Sequence, residues 1–200
     1  MCLLFLCVHI LRQNSINPRY LFIMRKILFI VVFTSCTLLI QGQSTKSIIK
    51  VNKKELLNLS SNYKTILLYT FSIKCEPCIL HLKNAIELSE KYKTDLYILL
   101  VEKKGKHNQF AIKYLEQRKK NIKIITIRDK YGRSNRKSYK KFLTEITPKK
   151  FKNINDFSKY IVIKNKEVIM VTNYTDNKIS DDWKNDLPML KAKVIPLLKQ

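Results

Sequence analysis

Two kinds of segment alternate along the chain. Thr65 to Phe71 (TILLYTF), Asp95 to Val101 (DLYILLV) and Ile122 to Ile127 (IKIITI) are short, almost unbroken apolar runs bounded by polar residues. Their length and β-favouring side chains predict strands buried on both faces. Ile48-Ile49-Lys50-Val51 is a shorter first strand of the same kind. Between these runs, apolar residues recur at near-helical spacing. Leu56, Leu57 and Leu59 predict a helix over Lys53 to Asn62. Ile79, Leu82, Ile86 and Leu88 predict one over Ile79 to Tyr92, and Phe110, Ile112, Tyr114 and Leu115 one over Asn108 to Lys120.

Residues 128–152 are polar and basic, with a helix expected over Ser138 to Ile146. Tyr160 to Ile163 and Val168 to Val171 flank the polar Lys164 to Glu167, which reads as a β-hairpin. Ser180 to Lys199 reads as a last helix. Asp181 and Asp182 suit its amino terminus, and Pro188 and Pro196 should kink or shorten it. The order βαβαβαβ, then a helix, a hairpin and a helix, predicts a mostly parallel sheet with helices on both faces.

The amino terminus follows another pattern. No acidic residue precedes Glu55. Met24-Arg25-Lys26 is followed by the apolar Ile27 to Ile40 and then by Gln41-Gly42-Gln43, the basic, apolar, small-residue order of a secretory signal peptide. The apolar run is short of the roughly 20 residues that a spanning helix needs. The expected division is therefore a targeting segment at 1–43, with translation starting at Met24 and the signal at 24–43, and one domain at 44–200. An uncleaved anchor made of both apolar stretches is the rival. A lipoprotein attached at Cys36 is a third reading, weakened by the apolar residues that follow that cysteine. Export would place the domain in the periplasm or cell envelope.

Composition sharpens this picture. The chain has 200 residues, with 39 Lys and Arg against 15 Asp and Glu, a net charge of +24. Its apolar content of 46% is enough to bury a core, which excludes wholesale disorder. Cleavage after Gln43 would remove Cys2, Cys7 and Cys36 and leave Cys75 and Cys78, spaced C-x-x-C, in an oxidising compartment.

Those two cysteines carry the candidate chemistry. They stand between a predicted buried strand and an amphipathic helix. Unpaired N–H groups and the dipole at the helix tip favour thiolate at Cys75. Pro77 costs little in a first helical turn. Lys74 adds a favourable charge, and Glu76 opposes it. The spacing puts the Cys78 sulfur one turn inward, close enough to close a small ring. Cys75 is therefore the expected nucleophile on a substrate disulfide and Cys78 the expected resolving thiol. A structural disulfide is the weaker reading, because closing so short a loop removes little chain entropy.

The segment TILLYTFSIKCEPCILHLKNAIELSEKY, Thr65 to Tyr92, and the hairpin YIVIKNKEVIMV, Tyr160 to Val171, resemble the thioredoxin-like superfamily, most closely the exported TlpA-like thiol–disulfide oxidoreductases. The resemblance implies a thioredoxin-like mixed sheet, dithiol/disulfide exchange with protein thiols or disulfides, a redox partner, and no cofactor or metal. The chain departs from the family's pattern at three positions. Lys74 stands where an aromatic residue is usual, and Tyr69 where many thioredoxins carry a buried acid. Ser158 stands where a substrate-docking cis-proline is expected; the nearest proline, Pro148, would reach the cysteines only if the intervening segment looped back. These departures keep a second function open, a non-catalytic thioredoxin-fold binding module of the envelope.

The remaining candidates have plainer expectations. His81 shares a helical face with Cys78 and could join the cysteines on a metal, but structural zinc prefers four ligands. An ordinary surface histidine is expected, and His107 is expected in a loop. Tyr131 and Tyr139 interleave the basic 128–152 segment as stacking residues of a nucleic-acid surface would. Export argues against nucleic acid and for a solvated face, with an anionic membrane surface or an acidic partner left open.

Overall fold

A computed structural model describes residues 48–61, 64–151, 156–173, 176 and 183–199. The targeting segment at 1–43, Ser180, Asp181 and Asp182 lie outside the described residues. So does Asn62, the expected end of the first helix.

Six strands form one sheet in the order β1-β4-β3-β2-β5-β6. They are β1 Ile49–Val51, β2 Ile66–Phe71, β3 Asp95–Leu100, β4 Lys123–Ile127, β5 Tyr160–Lys164 and β6 Glu167–Val171. The first four are mutually parallel. β5 runs antiparallel to β2, with Tyr69 opposite Tyr160, and β6 antiparallel to β5. The helices are α1 Lys53–Asn58, α2 Glu76–Lys91, α3 Lys106–Arg118 and α4 Asn135–Ile146. A last helical run, α5, occupies 187–198.

Strand alternation sorts the core into two layers. Leu67, Tyr69 and Phe71 face Leu82 and Ala85 of α2, Leu115 of α3 and Leu190 and Val194 of α5. Ile66 and Leu68 point the other way, to Leu56 of α1 and Tyr139, Phe142 and Leu143 of α4. Helices thus cover both faces, which is why every β2 residue is buried.

Several boundaries move, each for a local reason. α2 begins at Glu76 rather than Ile79, because Cys75 is its N-cap. α3 begins after Gly105, whose φ of +86° turns the chain into the helix, so His107 is helical and not in a loop. Among the described residues α5 begins at Leu187, where Pro188 fits the first turn; the expected start at Ser180 lies outside them. Pro196 cannot donate to the carbonyl four residues back, and the preceding turn, Leu190–Val194, is a π-helix.

The basic segment is also different from a stacking surface. Tyr131 is buried edge-on against Phe142, and Tyr139 is buried against Phe157. Neither ring offers a free face to a base. The lysines and arginines of α4 remain exposed around this packed stripe. Among the described residues, no helix is long and apolar enough to cross a membrane.

Candidate active site

β2 is the strand at which the sheet changes direction. Its chain continues through α2 to β3 on one side, while the returning hairpin lies on the other. Such switch points open a crevice at the carboxyl ends of parallel strands. Here the crevice receives the loop 72–75 from β2 and the segment 156–159 that enters β5. Thr70 N–H donates to the Lys159 carbonyl at 3.0 Å, so the two segments are held side by side.

The loop is secured from below by Glu102, just past the end of β3. Ser72 Oγ donates to Glu102 Oε1 at 2.5 Å, and the Cys75 N–H donates to the Ser72 carbonyl at 3.1 Å. Glu102 is 5% exposed, and its other carboxyl oxygen has no hydrogen-bond partner among the described residues.

Cys75 caps α2 in an extended conformation, and its sulfur accepts the Cys78 N–H at 3.3 Å. This is the N–H and dipole environment that lowers a thiol's proton affinity. The two sulfurs are at bonding distance, with Cα atoms 5.2 Å apart. Their exposure is unequal: Cys75 is half-buried and Cys78 fully buried. Pro77 lies in the first turn, and Lys74 and Glu76 are exposed on either side of Cys75. A cleft of about 490 Å³ opens beside Cys75, walled by Pro77, Arg136, Phe157, Ser158, Trp183 and Met189, among others.

Ser158 does reach this cleft, and Pro148 is not among the residues that line it. Ser158 holds φ at +61°, a left-handed conformation that costs a non-glycine residue roughly 1 kcal/mol or more. Its hydroxyl lies 3.0 Å from Tyr69 Oη and 3.1 Å from His81 Nδ1. Tyr69 also lies 3.0 Å from the Cys78 carbonyl, as a donor.

His81 is where the expectation fails most clearly. It is 2% exposed, not a surface residue. The segment 183–186 folds over α2 and covers it. His81 Nε2 faces the Trp183 carbonyl at 3.1 Å. A carbonyl only accepts, so Nε2 carries a hydrogen. Both ring nitrogens are thereby engaged, and among the described residues no three His, Cys, Asp or Glu side chains are grouped to hold a metal ion.

Asp186 is a site residue that the pattern along the chain does not mark, since it falls inside the helix expected over Ser180 to Lys199. Its side chain makes no cap bond and turns inward, fully buried. There it accepts from Tyr160 Oη at 2.5 Å and from Asn84 Nδ2, and Oδ2 lies 3.7 Å from His81 Nδ1. Burial pushes the Tyr69 and Tyr160 phenols well above their ordinary value, and Asp186 adds to the shift in both.

Lys159, also unforeseen, is wholly buried. Its ammonium donates to the Thr172 carbonyl at 2.9 Å and pairs with Asp156 at 2.7 Å. Burial lowers its pKa, and Asp156 partly opposes that shift. Tyr139 supports the same segment from behind: its hydroxyl lies 3.2 Å from Thr70 Oγ1 and 3.1 Å from the Asp156 carbonyl. Tyr139→Phe should cost about 1 kcal/mol, since it takes the hydroxyl donor from the Asp156 carbonyl, while Thr70 Oγ1 keeps the Lys159 N–H. Urea unfolding checks this; a midpoint equal to that of the parent protein would show that the hydroxyl bears no load.

A mixed sheet in which a buried parallel strand leads into a Cys-x-Pro-Cys helix tip, with an antiparallel hairpin returning beside it, is a thioredoxin-like α/β fold. Two cysteines at bonding distance on that tip fit dithiol/disulfide exchange. No family model matches the chain, and no curated protein matches it significantly. Among solved structures, tryparedoxin I from Crithidia fasciculata is 14% identical, covering 66% of this chain and 79% of its own, with a TM-score of 0.38. Tryparedoxin II from the same organism is 14% identical, covering 69% and 89%, with a TM-score of 0.37. A structure of tryparedoxin II complexed with glutathionylspermidine is 14% identical, covering 68% and 92%, with a TM-score of 0.38.

Proposed function

We propose that this protein is an exported thiol–disulfide oxidoreductase acting on protein thiols or disulfides. The observation that carries the reading is the unequal pair at the α2 tip. Cys75 borders an open cleft and its sulfur accepts a helix N–H, while Cys78 is sealed behind it. A structural disulfide would gain nothing from that asymmetry.

The exchange has two steps. The Cys75 thiolate attacks one sulfur of a substrate disulfide, forming a Cys75–substrate bond and releasing the other substrate sulfur as thiolate. Cys78, deprotonated, then attacks Cys75, closing the Cys75–Cys78 bond and releasing the second substrate thiolate. Two electrons pass from the pair to the substrate, and the reverse sequence oxidises substrate dithiols. Ser158 and its cleft neighbours receive the substrate, and Lys74, Glu76 and Pro77 tune the thiol. The basic–apolar–small order at 24–43 supports delivery beyond the cytoplasm, in keeping with the TlpA-like resemblance.

Thiol trapping of the purified domain across a series of glutathione redox buffers tests the reading. The pair should pass from reduced to oxidised at an intermediate potential, with both forms present in the middle of the series. A pair fixed in one state throughout would instead mark a binding module with an inert disulfide.

A further inference from the structure

The geometry points to α4 as the docking face for an acidic segment of the substrate, next to the cysteine that exchanges with Cys75; this rests on the oxidoreductase reading above. Helix-forming rules do not account for the charges on α4. Its first turn carries Arg136 and Lys137 and no acid, and its N-cap, Ser134, makes no side-chain cap bond. Cations at the positive end of a helix dipole are unfavourable. Arg136 and Lys140 stand four residues apart, as do Lys137 and Lys141, and like charges at that spacing repel.

Nothing among the described residues neutralises this face. All four cations are exposed, and Glu145, the single acid of α4, forms no ion pair with any of them. Elsewhere on the domain acids are shared between cations: Lys64 and Lys123 both meet Asp95, and Lys50 and Lys103 both meet Asp129. The surplus of positive charge is general, +24 over the chain, so position is what sets α4 apart. Arg136 lines the cleft beside Cys75, where the acid on the wall, Asp156, is already paired with Lys159. A shallow groove of about 440 Å³ along Lys137, Lys140, Lys141 and Thr144 carries the face onward.

From Arg136 to Thr144 the helix rises about 12 Å, the length of about four extended residues. An acidic stretch of that length can follow the cations along α4 while its cysteine sits at Cys75. A membrane surface fits this face less well. Interfacial helices combine cations with apolar side chains that enter the lipid. The large exposed apolar residues among those described, Ile49, Leu80, Phe110 and Leu187, are not on α4.

The test uses peptides with one cysteine amid about eight aspartates or about eight glutamines, the cysteine joined to an uncharged pyridinethiol whose release is coloured. The rate with reduced protein is divided by the rate with mercaptoethanol, which corrects for each peptide's own reactivity. At low salt the aspartate peptide should react about tenfold faster than the glutamine peptide, the lower end of the gain from charge steering. At about 1 M salt, where the screening length is about 3 Å, the two should agree within about twofold. The triple variant Lys137→Gln, Lys140→Gln, Lys141→Gln should bring the low-salt ratio below about threefold. The triple variant Lys91→Gln, Lys113→Gln, Lys120→Gln removes the same charge from exposed positions on the α2 and α3 side and should keep the ratio. The inference is overturned if the parent shows no preference, if the α4 variant keeps it, or if both variants lower it equally. A parent that binds phosphatidylglycerol vesicles through α4 and shows no preference for aspartate assigns the face to a membrane instead. A parent that exchanges with neither peptide overturns the oxidoreductase reading. Fluorescence anisotropy with serine in place of the peptide cysteine then decides the docking face by itself. Tighter binding of the aspartate peptide, lost in the α4 variant, upholds the face; equal binding of the two peptides overturns it.

Discussion

Cys75→Ser is expected to reduce disulfide exchange to the uncatalysed background, whereas Cys78→Ser should keep the first half of the reaction and stall there as a mixed disulfide. The reason is nucleophilicity set by geometry. A serine hydroxyl at the α2 tip gains the same N–H and dipole support, but it is far too weak an acid for that support to ionise it near neutral pH. The Cys78 sulfur cannot substitute, because it has no exposed surface from which to meet an incoming disulfide. In Cys78→Ser the Cys75 environment persists, and nothing remains to release the captured partner. Alkylation of the reduced parent protein should follow the same order, with Cys75 modified first. Gel-shift trapping and mass spectrometry read both variants. Exchange surviving in Cys75→Ser, or no trapped species in Cys78→Ser with a reactive aromatic disulfide, would refute the assigned roles. Identifying the proteins trapped by Cys78→Ser would also name the physiological partners.

The domain should lose stability steeply above pH 10, and the buried tyrosines are the cause. Tyr69, Tyr139 and Tyr160 are essentially unexposed, and burial raises all three phenol pKa values in the folded state. In the unfolded chain they ionise near their ordinary value of about 10. The folded form therefore holds more protons than the unfolded form once the pH passes that value, so the slope of stability with pH is negative. Each phenol's contribution is complete below about pH 10 and is lost as the pH climbs toward its folded value. The loss is about 1.4 kcal/mol per pH unit for each phenol, or about 4 kcal/mol per unit for three. Against a typical total of 5–15 kcal/mol, that is enough to unfold a domain within a few units.

Lys159 acts with the opposite sign. Burial lowers its pKa, so its contribution rises with pH and is complete by about 10.5, its unfolded value. One lysine cannot offset three tyrosines beyond that point. The share of the tyrosinate absorbance that belongs to these three of the chain's ten tyrosines should therefore appear together with loss of circular dichroism, in one cooperative step. The slope should be about a third shallower in Tyr139→Phe. Equal tyrosinate absorbance changes in the parent protein and in Tyr139→Phe, or the full absorbance of all ten tyrosines reached while the circular dichroism stays native, would disprove the account.

Much of this architecture can be read along the chain. The apolar runs that form β2, β3 and β4 and the near-helical spacing in α2 and α3 describe elements whose hydrogen bonds close within a few residues or along a strand edge. The C-x-P-C motif is similarly local: the N-cap, the proline in the first turn and the sulfur one turn inward all follow from neighbours in sequence. The boundaries that moved depended on single residues, Cys75 and Gly105, whose capping or turning role outweighs the apolar period around them.

The surroundings of the sulfurs are another matter. Ser158 is 77 residues from His81, and Trp183 and Asp186 are about a hundred residues beyond the α2 side chains they bond. No periodicity links positions so far apart. Whether His81 meets water or a carbonyl depends on where segment 183–186 lies across α2. Whether Ser158 reaches the cleft depends on the antiparallel register that sets Tyr160 against Tyr69. Burial is a property of the assembled layers, and burial alone turns an aspartate that no motif marks and a histidine that looks like a surface residue into one buried polar cluster behind the reactive cysteine. Helix tip, strand order and the paired thiols could thus be deduced from neighbouring residues, whereas the polar network beneath them came into being only when distant segments packed together and excluded water.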